Sequence, residues 1–277
     1  EAEASYKQAI ALKPDYAEAH SSLGVVLHMN GDIDSGLESL EKAKNIDPNL
    51  VSADLGLSNK IILTILQARE ARRKTEGSAI NISNLGYGAD QFPGPFFANR
   101  VVEAELITNL YEMNSRELDE TSDKDARYGN GRCSPDFKMF EDERSVIKTV
   151  AEDLISIMSL AVKSEVYVYD SFFNILGAGG GTTPHAHIQE IDTNEYLNFA
   201  KQKYSLVYYL SVGDQNCSEP GILKLYDPSE DILPCEGMIV IFPADRRHSA
   251  FYGGKKDRVI IGVNFYSLQF YKDQPKQ

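Results

Sequence analysis

The chain has 277 residues, enough for one large domain or two modest ones, each with its own core. Hydrophobic residues make up 42% and charged residues 25%, ordinary globular proportions, and apolar runs such as Ile61 to Leu66 fall far short of the roughly 20 residues that span a membrane. With 28 basic against 41 acidic side chains the net charge is −13, which speaks against a phosphate-binding surface and so against nucleic acid as a partner.

Three cysteines, Cys133, Cys217 and Cys235, form no close pair, so reduced thiols and a cytoplasmic location are expected. No signal peptide opens the chain. Residues 1 to 50 repeat with a period of 34: Ala2, Tyr6, Ala9 and Pro14 recur as Gly36, Leu40, Ala43 and Pro48. Within the unit from Ala17 to Leu50, Leu23-Gly24 allows two helices to approach closely, Gly31-Asp32 breaks the chain and Pro48 stops the second helix. This resembles the tetratricopeptide repeat, a helix–turn–helix unit of that period, with His20 where the family has Trp and Leu27 where it has Tyr. Because such repeats bury their faces by stacking, further repeats are expected before Glu1.

A third helical stretch follows from Val51 to Arg73, with Leu57, Ile61, Ile62, Ile65 and Leu66 on one apolar stripe and a basic end suited to a helix C-terminus. Residues 75–100, rich in small and polar types and then in Pro and Gly, read as a linker between a helical segment (1–74) and a second domain (101–277). That domain begins with helical spacing over Val101 to Met113, a charged Gly-rich loop over Ser115 to Ser134, and a helix over Phe137 to Val162. After Lys163 the period switches to two. Strands are predicted at Glu165–Leu176, Thr182–Ile188, Tyr204–Ser211, Gly221–Tyr226, Met238–Phe242, His248–Tyr252 and Arg258–Tyr266. The expected class is α+β, helical hairpins followed by a sandwich or jelly roll backed by helices.

Three of the five histidines fall among those strands. His185 and His187, two apart, would share one face of a strand, and His248 begins a later one. Neutral imidazole is the commonest protein metal ligand and suits iron, copper, nickel or zinc. Arg258 lies ten residues beyond His248, across the Gly253-Gly254 turn. Aimed inward it needs a carboxylate from a ligand; aimed outward it would pair with a neighbour such as Asp257.

The ordered set His185-Ala-His187, Tyr208-Tyr209-Leu210, Gly221-Ile-Leu-Lys-Leu, Gly237-Met-Ile-Val-Ile-Phe, His248 and Arg258 resembles the iron(II)/2-oxoglutarate dioxygenases, in particular the prolyl-hydroxylase-like branch. The resemblance covers about Val166 to Leu268 and implies a double-stranded β-helix using iron(II), 2-oxoglutarate and dioxygen, with ascorbate as an auxiliary reductant. It places His185 and His248 as metal ligands, Arg258 on the distal carboxylate of 2-oxoglutarate, Tyr209 beside it, and Asn174 as a further co-substrate contact. One departure stands out. Where the family has Asp or Glu two residues after the first histidine, this chain has His187, so the third ligand is His187 itself or a carboxylate from Glu190 or Asp192. An imidazole there would fill the position that halogenating relatives leave for a halide.

The reaction implied is hydroxylation of a C–H bond, with the loops Gln189 to Gln202 and Ser115 to Ser134 as lids or as plain surface loops. The helical repeats would recruit a protein or peptide partner. Two other classes stay open: a binding module on a degenerate barrel, and a three-histidine cupin-type metalloenzyme that has no use for an inward Arg258.

Overall fold

The structure, a computed structural model, describes residues 2–30, 32–47, 95–118, 126–193 and 199–268. The chain divides into two compact units, one helical and N-terminal, the other rich in β-structure.

The first unit contains α1 (Ala2–Leu12), α2 (Ala17–Met29) and α3 (Ile33–Ile46). Asp32 caps α3 by accepting a hydrogen bond from the Ser35 amide at 3.3 Å. Helices α2 and α3 bury Leu23, Leu27, Leu40 and Ala43. They meet at Gly24, where a Cβ would lie 2.9 Å from the Gly36 carbonyl oxygen and 2.7 Å from Leu40, so only glycine permits the approach. His20, at the family's Trp position, is buried, and its Nε2 donates to the Pro14 carbonyl at 2.9 Å. The stretch expected to be helical from Val51 to Arg73, Pro48, and the expected linker up to residue 94 lie outside the described residues.

In the second unit, β1 (Phe96–Asn99), α4 (Ala104–Glu112), β2 (Arg116–Glu117), β3 (Arg127–Tyr128), β4 (Gly131–Cys133) and α5 (Ser145–Val162) precede eight strands. These are β5 (Val166–Leu176), β6 (Gly180–His185), β7 (Lys203–Ser211), β8 (Pro220–Leu225), β9 (Glu230–Ile232), β10 (Met238–Pro243), β11 (His248–Tyr252) and β12 (Arg258–Ser267). Two antiparallel sheets result, one in the order β1-β10-β7-β12-β5-β4-β2 and one in the order β3-β6-β11-β8-β9. From β5 to β12 the chain crosses between the sheets at nearly every step, staying within one only from β8 to β9. That winding is a double-stranded β-helix, and the unit is α+β.

Because side chains alternate along a strand, the large sheet sorts its residues by parity. Phe173, Ile175, Tyr208, Ile261 and Val263 face outward and are buried with Leu106 and Leu110 of α4 and Ile147, Val150, Leu154 and Met158 of α5. Tyr209, Val240 and Ile260 face the other way and cluster with Leu223 and Leu225 of the small sheet.

Several expectations change. The helix predicted from Phe137 begins only at Ser145; Met139–Glu141 is a single 3-10 turn, held where the Phe140 amide donates to Ser171 Oγ at 2.9 Å. Ile155, expected on the apolar face, is 39% exposed. The predicted strand Thr182–Ile188 runs instead from Gly180 to His185, so His187 lies beyond its end. The supposed loop Ser115 to Ser134 contains β2, β3 and β4, each too short to leave a period in the sequence, and residues 119–125 are outside the description. Phe96–Asn99, read as linker, is an edge strand on β10.

Candidate metal centre and co-substrate pocket

His185 closes β6 and His248 opens β11, and the two stand opposite each other in the antiparallel register. His187 follows the end of β6, where its amide donates to the Ala244 carbonyl at 2.8 Å and turns its side chain back toward the other two. The ring centroids are 4.3 to 4.9 Å apart. One nitrogen from each ring lies within 4.8 Å of the others.

Each Nδ1 is already engaged. His185 Nδ1 meets the Thr183 carbonyl at 2.6 Å, and His248 Nδ1 meets the Arg246 carbonyl at 3.2 Å. His187 Nδ1 meets Asn264 Oδ1 at 2.5 Å and Ser205 Oγ at 2.9 Å. A carbonyl oxygen can only accept, so each Nδ1 carries a proton, and Nε2 of a neutral ring is then left with a lone pair. Nε2 of His185 and His187 are 3.0 Å apart, as two donors aimed at one point would be. Burial, reinforced by the neighbouring imidazoles, holds His187 well below its ordinary pKa, and burial and His185 bring His248 to about 3. Both are neutral near pH 7, the form that binds a metal.

Of the two carboxylates considered as alternatives, Asp192 is committed elsewhere. It accepts from Lys203 Nζ at 2.7 Å and Tyr266 Oη at 2.7 Å, both buried, and from the Gln189 amide at 2.8 Å. Glu190's side chain lies outside the description. The predicted lid from Gln189 is therefore pinned at its start; residues 194–198 are not described.

Arg258 is buried, not paired outward. Its sequence neighbour Asp257 instead accepts from Tyr111 Oη at 2.6 Å. Gly221, at φ +80°, leaves room for the Arg258 stem, since a Cβ there would come 3.1 Å from Cδ. The guanidinium carbon lies 5.2 Å over the Tyr209 ring. Arg258 Nε and Tyr209 Oη are both buried without a hydrogen-bond partner among the described residues. Burial raises the Tyr209 pKa while the Arg258 charge opposes it, so the hydroxyl keeps its proton. Unsatisfied buried donors of this kind cost about 1–3 kcal/mol each, more when charged, and a carboxylate accepting from both would relieve that cost.

The three histidines, Arg258, Tyr209 and Asn174 line one cavity of about 630 Å³, within the size range of ligand sites. Asn174 is buried there and accepts from Arg127 Nη1 at 3.2 Å. Arg127, within the segment expected to be a loop, is buried against Phe137 and Phe172, with its guanidinium carbon 5.3 and 5.7 Å from the two rings. Arg116 and Arg258 add to it, the charge of Lys203 being offset by Asp192, whereas Asp170 is the one acidic side chain among the described lining residues. In a chain of net charge −13, such a cationic pocket favours an anionic ligand. Three converging imidazoles meanwhile fit a borderline divalent ion such as iron(II).

A family model of the TPR repeat matches residues 1–31. No curated protein matches the chain. Among solved structures the chain is similar to a Pseudomonas putida prolyl-4-hydroxylase, at 16% identity and TM-score 0.44 over 63% of this chain and 92% of that one. It is similar to a Trichoplax adhaerens prolyl hydroxylase in complex with a hypoxia inducible factor oxygen degradation domain peptide fragment, at 16% identity and TM-score 0.47 over 72% and 92%. A 2OG-Fe(II) oxygenase family oxidoreductase from Burkholderia pseudomallei gives 11% identity and TM-score 0.44 over 65% and 91%. The TPR model thus falls on the N-terminal helices, and the solved structures to which the chain is similar are prolyl hydroxylases and a 2OG-Fe(II) oxygenase family member.

Proposed function

We propose that the β-rich unit is an iron(II)- and 2-oxoglutarate-dependent oxygenase that hydroxylates a C–H bond of a protein, peptide or small molecule. The N-terminal helices serve as a recruitment surface for a protein or peptide partner. One observation carries this reading: three converging imidazoles and a buried Arg258 whose Nε has no hydrogen-bond partner among the described residues line the same cavity.

In this reading His185, His187 and His248 hold iron(II), which when bound supplies the activation of dioxygen. Arg258 and Tyr209 take the distal carboxylate of 2-oxoglutarate as a charge-assisted pair, and Asn174 flanks it. Val207, Leu223 and Ile260 form an apolar wall of the cavity, which excludes water and strengthens every electrostatic contact inside. Carboxylate recognition on rigid strands fixes the keto acid end toward the imidazoles, a matter of orientation rather than of new chemistry.

The test is succinate formation from 2-oxoglutarate in the presence of iron(II), with or without a hydroxylated substrate. It should occur with the unaltered chain and vanish in His185→Ala, His248→Ala and Arg258→Ala. Metal binding without any effect of Arg258→Ala on a metal-dependent activity would point instead to a three-histidine enzyme that ignores 2-oxoglutarate.

A further inference from the structure

We infer that Asp170, acting through the Asn264 amide, sets the tautomer of His187 and is thereby a positioning residue of the metal centre. The inference deepens the metal-site reading proposed above and rests on it.

Its basis is the register of three neighbouring strands. Asn264 on β12 stands opposite Asp170 on β5 and opposite Ser205 on β7, so the three polar side chains form a row on the inner face of the large sheet. Asn264 Nδ2 donates to Asp170 Oδ2 at 3.0 Å, while Asn264 Oδ1 accepts from Ser205 Oγ at 2.8 Å and from His187 Nδ1 at 2.5 Å. An amide has nearly the same shape either way round, and only its partners decide which end faces where. The Asp170 carboxylate accepts and cannot donate, so it holds the NH2 end and turns the oxygen toward His187. His187 must then carry its proton on Nδ1 and leave Nε2 free for a metal.

Reversal of the amide would place NH2 against Nδ1. The imidazole proton would then move to Nε2, where it blocks coordination. Asp170 lies outside the group of nitrogens that converge on one point, so it works from behind a ligand. A chain with an imidazole at position 187 thus keeps a carboxylate at the site, one amide removed.

Co(II) titration of the full chain, followed by visible absorption, tests this. Asp170→Leu, which removes the acceptor while nearly keeping the size, should weaken Co(II) binding about 10–100-fold. Asp170→Asn, which can still offer an oxygen to Asn264, should recover most of that loss. In a His187→Ala background Asp170→Leu should add nothing, the signature of two residues acting in series. Nitrogen NMR of the metal-free protein gives a readout that folding alone would not move: the His187 proton on Nδ1 in the unaltered chain and on Nε2 in Asp170→Leu. Should Asp170→Leu not fold, Asn264→Ala is measured in its place and should show the same loss. Co(II) affinity within twofold of the unaltered chain, or an equal loss in the His187→Ala background, would overturn the relay. Unchanged Co(II) binding in both His185→Ala and His248→Ala would overturn the metal reading beneath it.

Discussion

Tyr208 and Tyr209 are adjacent on one strand and both fully buried, yet their surroundings are opposite. Tyr208 faces the helices, where its hydroxyl donates to the Val101 carbonyl at 3.0 Å and receives Arg100 Nη1 at 3.3 Å. Tyr209 faces the cavity, where its hydroxyl has no partner among the described residues. The same contrast separates the two faces of the whole sheet: the outer one is an apolar seat for α4 and α5, the inner one carries Asp170, Asn174, Ser205, Arg258 and Asn264. Alternation lets one set of strands keep stability on one side and incompletely satisfied polar groups on the other, with little interference between them.

Breaking the cavity at its three histidines should have the largest effect. His248→Ala is expected to abolish metal binding, read as metal content after dialysis, while far-UV circular dichroism stays unchanged. Next, Arg258→Met removes a buried charge whose Nε has no hydrogen-bond partner among the described residues. It should lower 2-oxoglutarate affinity by about 2–5 kcal/mol, yet raise the stability of the metal-free protein by on the order of 1 kcal/mol, as calorimetry and denaturant melts would show. Opposite signs from one substitution would mark the inner face as tuned for a ligand; a loss on both counts would mean that Arg258 is structural.

A pH series sharpens the same contrast. His187 and His248 are held neutral by burial, with folded pKa values below the ordinary 6.5, about 3 for His248. Between those limits the unfolded chain binds more protons than the folded one. The metal-free protein should therefore lose stability as the pH falls from 6.5, by up to about 1.4 kcal/mol per pH unit for each such histidine. The smallest effects come from the tyrosine pair. Tyr208→Phe should cost roughly 1 kcal/mol of stability and leave the site alone, whereas Tyr209→Phe should cost no stability and weaken 2-oxoglutarate by a similar amount.

What the sequence could specify by itself was whatever is written in local periodicity. The 34-residue repeat, the shift from helical to strand period after Lys163, and the boundaries of β5, β7, β10, β11 and β12 were legible to within a residue or two, because alternation and turn residues act over short range. The set His-x-His, His, Arg stood out for another reason: few residue types can ligate a metal or bind a carboxylate. Strands as short as β2, β3 and β4 were not, since two or three residues carry no period. Nor was the row Asp170–Asn264–Ser205, whose members lie 94 and 59 residues apart and meet only through strand register. The tertiary structure alone decided that Asp192 is tied to Lys203 and Tyr266, that Arg258 turns inward, and that Arg127 enters the cavity. Each of those outcomes depends on which strands become neighbours, and burial then fixes the charge state and partners of every polar group between them.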